Sequence, residues 1–209
     1  MQHKPVITTA VVTEHTYTQV KWMTCLMFFV FAMTTDAVGV IIPEVVKQFD
    51  LSLTQAAAFH YVPMIFIGLS GLFLGQLADQ LGRKKIILFG LFIYTLACFA
   101  FALNQSFYFY MLLLGLCGLS IGLFKTGALA LIGDISPNPL SHTRLMNRVE
   151  GFFGLGAIVG PALVAVLLML DMAWEQLYLV AGLICAILLI IAWRMDYPAY
   201  VTQPKTSIW

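Results

Sequence analysis

The sequence predicts an all-α membrane protein, a bundle of six transmembrane helices. Three observations predict it. Of 209 residues, 61% are hydrophobic and only 10% charged, far fewer charges than a soluble domain carries. The apolar residues fall into six runs, roughly 22–43, 56–78, 86–103, 107–132, 149–170 and 174–193, each near the ~20 residues a helix needs to cross hydrocarbon. The charges gather in the breaks between those runs. Within lipid each run must be helical, because an unpaired backbone amide costs several kcal/mol there.

Residues 1–21 are polar and mixed, and are expected to form a cytoplasmic tail. Residues 22–194 form one six-helix bundle. Residues 195–209 turn polar again, as a cytoplasmic C-terminal tail or the start of a linker. The first run is too long for a signal peptide's core and lacks a small-residue cleavage site, so it reads as a retained first helix. The breaks at 44–55, 79–85, 104–106 and 171–173 are short, which makes neighbouring helices antiparallel. The break at 133–148 is longer. Six helices with both ends on one side allow a 3+3 division near residue 104, the inverted-repeat plan of many transporters.

Cations set the orientation. Lys4, Lys21, Arg83, Lys84, Lys85, Arg144, Arg148, Arg194 and Lys205 fall on one side and only Lys47 on the other, so both termini are expected in the cytoplasm of a plasma or inner membrane. Trp22, Trp193 and Tyr197 suit an inner aromatic belt, and Tyr108, Tyr110, Trp174 and Tyr178 an outer one. A net charge of +1 argues against a nucleic-acid partner. Cys25, Cys98, Cys117 and Cys185 lie inside apolar runs without metal spacing and read as small core residues. No metal site or cofactor is expected. Glycines mark close helix approach: Gly68, Gly71 and Gly75 on helix 2, Gly115, Gly118 and Gly122 on helix 4, Gly156 and Gly160 on helix 5.

The segment Gly75 to Lys85, GQLADQLGRKK, resembles the helix 2–3 loop signature of the major facilitator superfamily. Gly75, Asp79, Gly82, Arg83 and Lys84 fall at the expected positions. A cation-rich inside loop explains the basic residues but not Gly75 and Asp79 at fixed offsets. The resemblance covers nearly all of residues 22–194 and implies one six-helix bundle of that fold, with this loop acting as a latch that favours the state closed to the cytoplasm. Helix 1, FFVFAMTTDAVGVIIPEVVKQF, places an acid and a proline mid-span and looks like the fucose permease branch, whose members import sugars with protons. GLSIGLFKTGALALIGDISP and RLMNRVEGFFGLGAIVGP are similar to the same branch. Three departures stand out. Drug antiporters of the superfamily carry an arginine early in helix 4, where this chain has Met111. They carry GPxxGG in helix 5, where Gly160 and Pro161 are followed by ALVA. Lys125 stands where the fucose permease branch tends to have an acid.

Asp36, Lys125 and Glu150 are the charges placed at depth. Each costs at least ~2.5–3.5 kcal/mol near the bilayer centre without a partner or a wet cavity. Lys125 and Glu150 fall at similar depth and are expected to pair, with Asn147 one turn from Glu150. Asp36 lies ~13 Å away along the normal and is expected to be less compensated, hence a candidate proton carrier with a raised pKa. Its bland alternative is a hydrogen bond to Thr34 or Thr35. His60 reads as an interfacial residue.

These readings point to secondary transport of a small polar solute, a sugar first, driven by protons. A proton-coupled drug or metabolite antiporter half is the alternative, and a non-transporting membrane partner or truncated fragment the alternative of another class. A complete member of the superfamily has two six-helix bundles, so the chain is expected to need a second half or a copy of itself. The string Gly68-Leu69-Ser70-Gly71 suggests an intramembrane serine protease. It fails for want of a base, since His60 lies about 15 Å up the same helix from Ser70.

Overall fold

The computed structural model describes residues 14–74, 80–103, 106–195 and 197, with side chains from residue 17. Its helices are α1 (Glu14–Thr35), α2 (Val38–Phe49), α3 (Leu53–Ala56), α4 (Ala58–Leu74), α5 (Arg83–Ala100), α6 (Phe107–Asp134), α7 (Pro139–Met169) and α8 (Gln176–Arg194). No strand occurs among the described residues. The six expected runs correspond to α1–α2, α4, α5, α6, α7 and α8. Five of these segments are long and apolar enough to span a membrane. The exception, α5, is 18 residues long and opens on Arg83, Lys84 and Lys85. Long basic side chains at a helix end can reach the interface, so α5 remains compatible with a short span.

Several boundaries differ from the hydropathy reading, each for a local reason. α1 starts at Glu14, inside the expected tail. Its polar first turns are anchored by Val20, which is fully buried. α7 starts at Pro139 and runs 31 residues, so the expected 133–148 break shrinks to a short turn. The Asn138 side chain accepts from Ser141 N, the Ser141 side chain returns to Asn138 N, and Pro139 takes the first helical position. This capping box starts a helix well before the apolar residues begin. Ser52 and Gln55 form the corresponding box at α3.

The first span breaks at Asp36–Ala37, between α1 and α2. Thr34 donates its hydroxyl to the Phe31 carbonyl at 3.0 Å, and Thr35 shares its one proton between that carbonyl at 3.0 Å and Asp36 Oδ2 at 3.1 Å, a back-bonding pattern that bends helices. Pro43 inside α2 supplies no amide for the Gly39 carbonyl. The chain therefore bends beside its only acid at depth in this span.

Packing follows an internal two-fold. Spans 1 and 5 (α1, α7) pack along their length, as do spans 2 and 4 (α4, α6). Spans 3 and 4 (α5, α6) pair, and so, less extensively, do spans 1 and 6 (α1, α8); spans 3 and 6 (α5, α8) meet each other. Exchanging 1 with 4, 2 with 5 and 3 with 6 reproduces this list, the contact signature of two interlocked three-helix repeats. One core joins them, with Phe31, Tyr94, Phe101, Tyr110, Phe124 and Tyr178 fully buried or nearly so.

Glycines set the closest approaches. A methyl at Gly156 or Gly160 would overlap the carbonyls of Phe29 or Met33 on α1, and one at Gly118 or Gly122 would overlap Pro63, Ile67 or Ser70 on α4. Gly115 faces the Phe66 ring. Gly68 and Gly71 were expected to serve the same purpose, but nothing lies within 4 Å of where their Cβ atoms would be. The α4–α6 contact uses the α6 glycines, so those of α4 are left facing outward. Gly75 lies outside the described residues.

The outer aromatic belt also needs correction. Tyr108 is 82% exposed, as a belt residue should be, but Tyr110, Trp174 and Tyr178 are buried within the bundle. Phe101 stacks on Tyr178 at 3.8 Å, and Tyr110 donates to Glu175 Oε1 at 2.7 Å. Trp174 Nε1 donates to Gln48 Oε1 at 3.1 Å. At the other end Trp22 and Trp193 are exposed, as expected.

Candidate transport site and helix-end latch

Three cations open α5, and no acid shares its first turn. Cations at a helix N-terminus oppose the macrodipole, typically by ~0.3–1 kcal/mol each. The neighbours explain why they are tolerated. α6 and α8 end at the same level as α5 begins, and their C-terminal carbonyls carry the negative ends of their dipoles. Arg83 Nε donates to Asp134 Oδ2, at the end of α6, at 3.1 Å. Lys84 Nζ donates to the Met195 carbonyl, just past α8, at 2.6 Å. The Lys84 ammonium also lies 5.5 Å from the Tyr197 ring centre. Burial pushes the Tyr197 phenol above its usual range, so it stays protonated and donates to Met23 Sδ. The loop's cations thus bind two helix ends together. Asp79 and Gly75, the other expected members of the latch, lie outside the described residues.

Gly82 precedes α5 with φ of +90°, a conformation that side chains other than hydrogen rarely adopt. Gly82→Ala is expected to cost about 1–2 kcal/mol from this strain. Asp134→Asn, which weakens the partner of Arg83, is expected to cost about 1 kcal/mol, because the Asp134 side chain is 28% exposed. The thermal midpoint of each variant in detergent checks both expectations.

The charges at depth are arranged differently from the expected pair. Lys125 on α6 and Glu150 on α7 form no ion pair: the ion pairs among the described residues are Lys47–Glu44 and Arg83–Asp134. Lys125 instead points its ammonium at two rings, 4.8 Å from the Phe153 centre and 5.5 Å from that of Phe28. Equal depth brought the two charges to one level, but the side chain of Glu150 is exposed while that of Lys125 turns into the α1–α7 seam. Rings attract a cation by about 0.5–2 kcal/mol and leave its hydrogen-bond donors without acceptors.

Asp36 is exposed at the α1–α2 break and accepts from Thr35 Oγ1 at 3.1 Å. Beside it the Thr34 and Tyr94 hydroxyls share a buried hydrogen bond of 2.5 Å. Asp36 lies eight residues beyond Phe28, about 12 Å along the helix, so the acid and the Lys125 cage sit at two different levels of the first span. Asn147 is exposed on α7 one turn before Glu150. Gly160 belongs to the α1 contact, and Pro161 lies inside α7. Phe28, Phe153, Asp134 and the Met195 carbonyl were not singled out from the sequence. The aromatic pair could have been found as neighbours of a lone cation on adjacent apolar helices.

Ser70 is 1% exposed and donates to the Leu119 carbonyl at 3.1 Å, while His60 is exposed. The serine makes a helix-packing hydrogen bond, with no base beside it among the described residues.

A six-span bundle with interlocked three-helix repeats and a basic helix start after span 2 has the architecture of a membrane transporter domain. The Major Facilitator Superfamily profile matches residues 24–207, and the chain belongs to that family. It is 34% identical over 146 residues to the quinolone resistance protein NorA of Staphylococcus aureus, covering 66% of this chain and 36% of that protein. It is 31% identical over 164 residues to the niacin transporter NiaP of Acinetobacter baylyi, covering 78% of this chain and 36% of that protein. The chain thus spans about a third of the length of these relatives. Among solved structures it resembles a bacterial homolog of the human lysosomal transporter Spinster in the inward-facing, unoccupied conformation. That match has a TM-score of 0.72 and 17% identity, over 93% of this chain and 47% of that one. The occupied form matches with a TM-score of 0.73 and 16% identity, over 90% and 46% of the two chains. These two likenesses concern the fold. Met111 and the ALVA after Pro161 had set the chain apart from drug antiporters, yet a quinolone resistance protein is among its relatives.

Proposed function

We propose that the chain supplies half of a proton-coupled secondary transporter for a small organic solute, not an enzyme, with Asp36 as the proton carrier and Lys125 as the solute's polar contact. The observation that carries this reading is the state of the two charges. Neither Asp36, exposed at the break in span 1, nor Lys125 has an opposite charge beside it among the described residues, and Lys125 is backed by two aromatic rings from α1 and α7. Asn147 and Glu150, on the exposed face of α7, would line the approach. A ringed cation suits a solute with an anionic or acceptor group and a flat apolar body. The relatives named for quinolone resistance and niacin transport favour such a solute over the sugar that helix 1 suggested. Both termini would face the cytoplasm, together with the Gly75, Asp79, Gly82, Arg83 and Lys84 latch.

The second half would cover α4 and α7. These two spans are the least buried of the five, 17% and 22% against 61% for spans 1 and 4. They are related by the internal two-fold, and Gly68 and Gly71 on one and Gly151 and Gly154 on the other face open space. Such surfaces suit another six-helix bundle, from a longer polypeptide or a second copy.

The test is a solute panel in energised membrane vesicles containing the chain and its complementing bundle. A fluoroquinolone, nicotinate and a hexose are each assayed for accumulation or extrusion. Proton-gradient-dependent movement of one of the first two, reduced about tenfold or more by Lys125→Gln, is expected. Hexose movement insensitive to Lys125→Gln would overturn the assignment.

A further inference from the structure

Beyond the solute seam, the cation-rich end of the bundle holds a second pocket. Lys21 from α1, Arg144 and Arg148 from α7, and Ser136 and Ser141 at the turn between α6 and α7 line a recess of about 190 Å³. Pro137, Ile135 and Leu145 complete its wall, and no acid lines it among the described side chains. Asp134, adjacent in the chain, is engaged by Arg83. Among the described residues no ion pair or side-chain hydrogen bond engages Lys21 or Arg144, and Arg148 lies 5.8 Å from the Trp22 ring. Ser136 and Ser141 spend their protons on the carbonyls of Ile132 and Asn138.

Three like charges around one small recess repel one another. Their convergence is stable only with an anion or ample water between them. Two of the three are arginines, whose planar forks match phosphate oxygens. The exposed Trp22 beside Arg148 packs edge-on to Phe152 and places the recess at the level of an interfacial aromatic residue. Basic pockets between helices at this level hold lipid headgroups. Lys21 lies two turns, about 10 Å, from Phe28 and hence from the Lys125 cage, so an occupant here would be distinct from a solute held at Lys125.

We propose that Lys21, Arg144 and Arg148 form a binding site for a phosphate group, supplied by an anionic phospholipid headgroup or by a free phosphate compound. The site clamps the N-terminal turns of α1 to the start of α7. Its existence does not depend on which solute is carried or on proton coupling.

The experiment uses the full chain in detergent. A triple variant (Lys21→Gln, Arg144→Gln, Arg148→Gln) is compared with a charge-matched control altered elsewhere (Lys47→Gln, Lys85→Gln, Arg194→Gln). Native mass spectrometry measures retention of phosphatidylglycerol against phosphatidylcholine, and thermal denaturation measures the response to inorganic phosphate. Size exclusion verifies that both variants remain folded; single substitutions at Arg144 and Arg148 replace the triple if it does not. Preferential phosphatidylglycerol retention, lost about tenfold or more in the pocket variant and kept in the control, identifies a headgroup site. Stabilisation by inorganic phosphate without lipid preference, again lost only in the pocket variant, identifies a free phosphate site. Equal behaviour of the two variants in both assays overturns the proposal.

Discussion

Gly160→Leu is expected to abolish the folded bundle. The substituted Cβ would fall on the Met33 carbonyl of α1, and backbone cannot swing aside as a side chain does. Spans 1 and 5 form the most extensive helix contact in the bundle, so relieving the clash means parting them. That would expose the seam that holds Phe28, Lys125 and Phe153. Overpacking a core usually costs about 1–3 kcal/mol, and more where backbone is the obstacle. In lipid the close van der Waals fit of small residues is itself a main source of helix association. The measurement is the monodisperse size-exclusion peak of the detergent-solubilised chain, which should fall about tenfold or more. Gly154→Leu provides the contrast, since nothing lies within 4 Å of its Cβ position. It should leave the isolated bundle's peak within about twofold, because an exposed substitution away from packed features changes stability by about 0.5 kcal/mol or less. Equal peaks for the two variants would contradict the packing described here.

The spans and the family were legible because a bilayer imposes simple rules. Length and apolarity mark a helix, and the GQLADQLGRKK loop combines glycines with charges that no generic turn requires. The arrangement of side chains within the bundle was less legible, since an apolar helix in lipid is apolar on every side. α6 has buried residues all around its axis, so no periodic stripe tells which face meets α4, α5 or lipid. Gly68 and Gly118 are alike as letters, yet one faces open space and the other Pro63. Trp174 reads as a belt residue until its indole is seen donating to Gln48. Lys125 and Glu150 matched in depth, but depth fixes only one coordinate, and rotation about the helix axis decides a pair. The early start of α7 was written in Asn138, Pro139 and Ser141, a capping box that the hydropathy reading passed over. Asp134 could have been anticipated as an acid at a helix end, level with the cations of the preceding inside loop.

Asp36→Asn is expected to eliminate proton-driven transport while leaving the fold intact. Asparagine matches aspartate in size, and its side-chain oxygen can accept the same hydrogen bond from Thr35 that Asp36 Oδ2 accepts at 3.1 Å. A merely structural Asp36 would therefore be rescued by asparagine, and a proton carrier would not, because the amide does not titrate. Asp36 is also exposed at the break between α1 and α2, where water can reach it, and the bend gives it two helix ends that can move relative to each other. In vesicles containing the chain and its complementing bundle, gradient-driven solute movement should fall to the level of vesicles without the chain. Solute exchange at equal pH on both sides should persist, because it needs the solute contact but no net proton. Asp36→Glu should retain part of the driven transport with a displaced pH profile. Accessibility is checked independently by Asp36→Cys. The native Cys25, Cys98, Cys117 and Cys185 are all buried, so labelling by a water-soluble maleimide should report the new thiol alone. Full gradient-driven accumulation by Asp36→Asn would remove the proton role and leave Asp36 as a partner of Thr35.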